Sequence, residues 1–241
     1  YENYKGVWKS VASGDFNRDG RTDLVFGNYG LNTKYRPRTD EPFVLFSSTN
    51  ENLRNTYIEG YTAGGRLLPV DSRMLHDIQF PGLMEKTSSS IAEYAEMTIQ
   101  EIFPEELLSK YDRYELNEVR SVLLLQKEDG SFEEAELPRW AQSGAVIDIL
   151  VVDVDADGWE DLILVHEMLP PNPWAERFLK GHVSLLMNRQ GRGFDALLPF
   201  KSGLEVKGYP RRLAWADLDR DGKGELLISM NEGPLLIFEL N

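Results

Sequence analysis

The chain has 241 residues and a formal net charge of −14, with 40 acidic residues against 26 basic ones. That balance excludes a nucleic-acid binder, because phosphate neutralisation needs clustered Lys and Arg, and a hydrophobic content of 41% excludes wholesale disorder. Cysteine is absent, which removes disulfides and thiol chemistry, and no run of 18 apolar residues offers a transmembrane helix.

Residues 1–35 read as strand, loop, strand. Tyr4, Val7 and Trp8 lead into a strand over Trp8–Ser13, a nine-residue loop runs from Asp15 to Asp23, and Leu24–Gly27 follows as a short apolar strand. Inside the loop, Asp15, Asn17, Asp19 and Asp23 stand at positions 1, 3, 5 and 9, with Gly20 at position 6 and Arg21 at position 7. Residues 43–58 hold a degraded copy: Phe43–Phe46 is a strand, and Ser48, Asn50, Asn52 and Thr56 take the loop positions. Leu53 stands in place of the glycine. Neutral groups cannot offset the dehydration of a divalent ion, so this copy reads as a repeat without its ion.

Residues 60–118 break the pattern. The spacing predicts one helix from the capping box Ser90-x-x-Glu93, with Ile91, Tyr94, Ala95, Thr98, Ile99 and Ile102 on one face. A second short helix is expected over 104–111, and the helical insertion as a whole spans about residues 85–117. The sheet resumes with Val119–Gln126, a turn at 128–131, and Phe132–Leu137. Ala145–Val152 then leads into the loop Asp153–Asp161 and the strand Leu162–Val165. Pro170–Trp174 interrupts the chain, Val183–Asn188 and Phe194 form a hairpin, and 204–241 give the last repeat, around the loop Asp217–Glu225 with a closing strand over 234–240.

The three intact loops share one spacing. Asp153, Asp155, Asp157 and Asp161 repeat the four oxygen positions of the first loop, as do Asp217, Asp219, Asp221 and Glu225; glycine stands sixth each time. Ca²⁺ takes six to eight oxygens, which alternate residues of a tight loop can aim at one centre. Arg21, Trp159 and Lys223 at position 7 would each lend a backbone carbonyl. Glycine at position 6 allows the positive φ that turns the chain around the ion. Eleven of the 40 acidic residues occupy ligand positions, so up to three Ca²⁺ sites account for part of the acidity. Position 12 is Phe26, Leu164 and Ile228, where an EF-hand needs a bidentate Glu between flanking helices; an EF-hand is excluded.

Strand, DxDxDGxxD and apolar strand together resemble the FG-GAP/VCBS repeat of integrin-α-like calcium-binding propellers. The stretch from Gly14 to Asn32, with Ala95–Phe103 and Leu137–Ser143, is similar to large bacterial VCBS-repeat proteins related to cartilage-acidic-type proteins. The resemblance implies an all-β β-propeller, complete or partial, with calcium loops and a small helical insertion. On that reading residues 1–241 form one propeller region. Its first-ligand spacing gives about four blades, and since blades number four to eight in a propeller, an arc of a larger one is expected.

The resemblance implies a non-catalytic, calcium-stabilised interaction module, part of a larger protein or assembly, that meets a protein partner or a surface glycan. A subunit of an outer-membrane or surface complex is one form this would take. Millimolar-range calcium modules belong outside the cytosol, so an extracellular, cell-surface or periplasmic location is expected. The alternative is a glycan-binding or glycan-processing propeller, to which exposed Trp140, Trp174 or tyrosines would contribute. No HExxH or GxSxG motif is present, and His166-Glu167 is the one acid/base pair that the sequence singles out.

Overall fold

The computed structural model describes residues 3–33, 35–48, 56–167 and 182–240. They form a mostly β protein in two compact units, one of Tyr1–Gly6 and Tyr35–Glu118, the other of Val7–Lys34 and Val119–Asn241.

Taken in chain order, the strands are β1 (Ser10–Gly14), β2 (Asp23–Gly27), β3 (Phe43–Ser47), β4 (Tyr57–Ala63), β5 (Arg66–Pro69), β6 (Asp112–Leu116), β7 (Val122–Gln126), β8 (Phe132–Ala135), β9 (Val146–Val152), β10 (Asp161–His166), β11 (Val183–Asn188), β12 (Phe194–Leu197), β13 (Tyr209–Ala216), β14 (Glu225–Asn231) and β15 (Leu236–Glu239). The larger unit holds three antiparallel sheets, β1-β2-β7-β8, β9-β10-β11-β12 and β13-β14-β15. Each is a blade-like meander in which a first strand turns through an acidic loop into its neighbour.

The run Leu162-Ile163-Leu164-Val165 explains how these sheets stack. Every residue of β10 is buried, and successive side chains of a strand point to opposite faces. Leu162 and Leu164 pack with Phe16, Val25, Leu123, Val146 and Phe194. Ile163 and Val165 pack on the other side with Leu185, Leu226 and Ile228. An unbroken apolar strand is what a sheet covered on both faces requires, and each such side chain contributes about 1.5–3 kcal/mol by burial.

The smaller unit has a different order, β5-β4-β3-β6. Phe43 of β3 is opposite Tyr61 on one side and Leu116 on the other. Val44, Phe46 and Ile58 pack against Met84, Tyr94, Ile99, Ile102 and Phe103 from the helical stretch. Strands and helices share this core, so the smaller unit takes in the strands from Tyr35 onward together with the helical segment expected at 85–117. Asn50, Asn52 and Leu53 of the degraded repeat lie outside the described residues, as do Pro170–Trp174.

The single helix expected from Ser90 is two helices, α3 (Ile91–Ala95) and α4 (Ile99–Ile102). They follow α1 (Arg73–Gln79) and α2 (Met84–Thr87), which arise where no clean period is visible. The break comes from Thr98. Its hydroxyl accepts from Glu101 N, while Glu101 Oε2 accepts from Thr98 N at 2.7 Å, a full capping box that stops one helix and starts the next. Ile91 is 77% exposed, so the buried stripe begins at Tyr94. The next helix, α5, covers only Glu105–Leu108. Among the described residues no helix is long and apolar enough to cross a membrane.

Candidate metal loops

The three loops join β1 to β2, β9 to β10 and β13 to β14, and they share one backbone path. Position 4 is left-handed in each, at Arg18 (φ 55°), Ala156 (φ 56°) and Arg220 (φ 66°). Position 6 is left-handed again, at Gly20 (φ 81°), Gly158 (φ 89°) and Gly222 (φ 89°). Only at position 6 does glycine remove the strain, since an L side chain adopts that conformation reluctantly.

The hydrogen bonds repeat as well. The first carboxylate of each loop accepts from the glycine N–H: Asp15 from Gly20 at 2.9 Å, Asp153 from Gly158 at 2.8 Å and Asp217 from Gly222 at 3.1 Å. The fifth accepts from the position-7 N–H, with Asp19 taking Arg21 N, Asp157 taking Trp159 N and Asp221 taking Lys223 N. The ninth is the first residue of the second strand and accepts from position 2: Asp23 from Phe16, Asp161 from Val154 and Glu225 from Leu218. Asp23 and Asp161 use their second oxygen on the N–H of the third strand, at Gln126 and Asn188.

Burial sets the electrostatics of position 9. Asp23 and Asp161 are 0% and 1% exposed. Loss of solvent pushes the carboxyl of Asp161 up to about 6 and that of Asp23 upward also, against the opposing pull of their backbone hydrogen bonds. Each is a buried acid whose charged form gains from a nearby cation.

Ligand oxygens converge in two loops. One oxygen each from Asp217, Asp219, Asp221 and Glu225 lie within 4.8 Å of one another, as do single oxygens of Asp153, Asp155 and Asp161. An all-oxygen donor set of this kind suits a hard divalent cation. The first loop differs. The guanidinium of Arg21 pairs with Asp19 at 2.5 Å and donates to Gln126 O at 2.9 Å, and Asn17 Nδ2 donates to Asp19 at 2.7 Å. A side-chain cation therefore already serves the carboxylate that an ion would use.

Three residues beyond the ligand pattern tie neighbouring loops together. Glu160 at position 8 accepts from Asp15 N at 2.7 Å, and a Cβ on Gly14 would collide with it. Asn188 donates to both Phe16 O and Glu160 O. Arg18 lies over the Trp159 ring at 5.2 Å, a cation–π contact. Gly191 is a second close approach, since a Cβ there would meet the Trp159 ring and the Asn17 backbone.

The pair His166-Glu167 does not act together. His166 bonds Ser184 Oγ at 2.9 Å and stacks on His182 at 4.5 Å, while burial beside His182 lowers its proton affinity to about 3. Glu167 instead accepts from Lys9 at 2.9 Å and faces Arg211 at 3.4 Å.

Residues 7–39, which contain β1, the first loop and β2, match the family model of the FG-GAP repeat. No curated protein matches the chain. The second and third loops lie outside the matched residues and share the backbone path of the first.

Proposed function

We propose that the chain is a calcium-stabilised, non-catalytic propeller region of the FG-GAP/VCBS kind, serving as an extracellular or cell-surface interaction module within a larger protein or assembly. FG-GAP repeats typically build adhesion-type propellers that mediate protein interactions, and the match at 7–39 supports that coarse role. The observation that carries the calcium reading is the shared loop geometry, in which a buried position-9 carboxylate closes a loop whose positions 1, 3 and 5 carry exposed or half-exposed oxygen ligands.

Asp153, Asp155, Asp157 and Asp161 with the Trp159 carbonyl would hold one ion. Asp217, Asp219, Asp221 and Glu225 with the Lys223 carbonyl would hold another. Asp15, Asn17, Asp19 and Asp23 with the Arg21 carbonyl form the third and weakest site, because Arg21 competes for Asp19. A bound ion supplies the charge that these carboxylates lack. The protein's own contribution is to fix the loop through its N–H groups and to join first, second and third strands at position 9. The repeated meanders then read as an arc of a propeller whose other loops are free to meet a partner.

Thermal unfolding of the 241-residue chain after chelation, and again with millimolar Ca²⁺, tests this. A Ca²⁺-dependent rise in midpoint that falls on Asp153→Ala or Asp217→Ala is expected. A folded protein whose midpoint ignores Ca²⁺ refutes the reading.

A further inference from the structure

The acidic loops follow the C-terminal ends of β1, β9 and β13. These strands are each at an edge of their own sheet, and they lie side by side. Their N-terminal ends have the opposite character. Lys9 precedes β1, Ile147 stands near the start of β9, and Arg211 and Arg212 stand near the start of β13. Together these four residues line a cavity of about 350 Å³.

Two carboxylates reach the same cluster. Glu167 takes Lys9 and Arg211 as described, and Asp148 lies 3.8 Å from Arg212 Nη1 while accepting Leu213 N at 2.7 Å with its other oxygen. Arg212 Nη1 also donates to Ile147 O at 2.8 Å. Among the described residues, three cations against two carboxylates leave one net positive charge, on a chain whose overall charge is −14. The cations also have donors to spare. A guanidinium offers five N–H groups, and among the described residues that of Arg211 makes one contact, to Glu167 at 3.4 Å.

We propose that this cavity binds a monocarboxylate sugar of the uronic acid class. A single net charge matches one carboxylate, and the planar fork of arginine engages that group through paired hydrogen bonds. The volume lies at the small end of ligand sites, which is monosaccharide scale. The lining is amphipathic, its charged heads set beside Ile147 and the alkyl stems of Lys9, Arg211 and Arg212, which suits the mixed hydroxyl and C–H surface of a sugar ring. Glu167 is an internal carboxylate already holding two of the three cations, and a ligand carboxylate competes with it. The site does not depend on the calcium reading, since none of its residues is a loop ligand.

The test is calorimetric titration of the full chain with sodium glucuronate, with glucose and inorganic phosphate as parallel probes at fixed ionic strength. Saturable glucuronate binding, absent for glucose, is expected to weaken at least tenfold in R211Q/R212Q. It is expected to tighten severalfold in E167Q, which removes the internal competitor; a merely structural cluster predicts no such gain. Thermal midpoints confirm folding, and K9Q replaces the double variant if that unfolds. Glucuronate binding no better than glucose, equal binding of phosphate, or weaker binding in E167Q overturns the proposal.

Discussion

Acid should loosen the larger unit through one side chain. His166 is 1% exposed, bonds Ser184 and stacks on His182, and its proton affinity lies near 3 against an ordinary 6.5. In the unfolded chain it recovers the ordinary value, so below pH 6.5 the unfolded state binds the extra proton. Stability from this group is complete above that pH and falls by about 1.4 kcal/mol per unit below it, until pH nears 3. At pH 5 this group's loss is about 2 kcal/mol. Asp161, raised to about 6 in the folded protein, takes up a proton there and offsets about 1 kcal/mol of it. The histidine's share is therefore read as the difference between wild type and a variant lacking it, about 1 M in urea midpoint for a typical denaturant slope. Every tryptophan of the sequence lies within the residue ranges of the larger unit, and Trp140 meets His182 edge-on at 5.7 Å. Tryptophan fluorescence during urea unfolding therefore follows this unit selectively. His166→Gln should lower the midpoint at pH 8 and flatten its fall between pH 8 and pH 5. If wild type and variant lose the same stability over that interval, the buried histidine is not the acid-sensitive group and the reasoning fails.

Other outcomes follow from the same geometry. Leu164→Ala empties a site between two sheets at 1% exposure and should cost about 2–5 kcal/mol in urea unfolding; a loss under about 1 kcal/mol would contradict the packing described. Arg21→Gln frees Asp19 from its guanidinium and should raise the Ca²⁺ affinity of the first loop, read as an added or tightened site in calorimetry against wild type. An unchanged isotherm would show that Arg21 does not compete.

The legible parts of the fold were those set by local chemistry. The loop spacing, the glycine at position 6 and the apolar runs at 24–27, 162–165 and 226–229 placed the strand after every loop within a residue or two. The all-β class followed from them. Strand limits such as Val183–Asn188 held because β-branched and leucine-rich runs ended at turn residues. The helical stretch was less legible because two N-caps, of which only that at Thr98 closes a full capping box, overlap the same apolar period. Ser90 and Thr98 each offer a start, and periodicity alone cannot say that the second interrupts the first. The extent of the smaller unit was hidden for a different reason. Phe43 and Val44 look like any blade strand, and only the arrival of β6 beside β3, from nearly seventy residues away, gives the sheet its order.

The candidate sites divide the same way. A ligand loop is contiguous, so nine residues disclose it, including the buried acid at its end. The competition by Arg21 is a side-chain matter: position 7 was read for its carbonyl, and nothing in the spacing says that its guanidinium turns back onto Asp19. The basic cavity is assembled from Lys9, Ile147 and Arg211–Arg212, which are separated by more than sixty residues at each step and meet only because β1, β9 and β13 lie side by side. The contact of Glu160 with Asp15 joins the first and second loops at one end of β1 and β9, while Lys9 and Ile147 stand at the other end of the same two strands. None of the loop ligands lines that cavity, so a folded Asp153→Ala variant should keep its anion affinity while its Ca²⁺ response falls, and parallel titrations of the two ligands read the two sites apart.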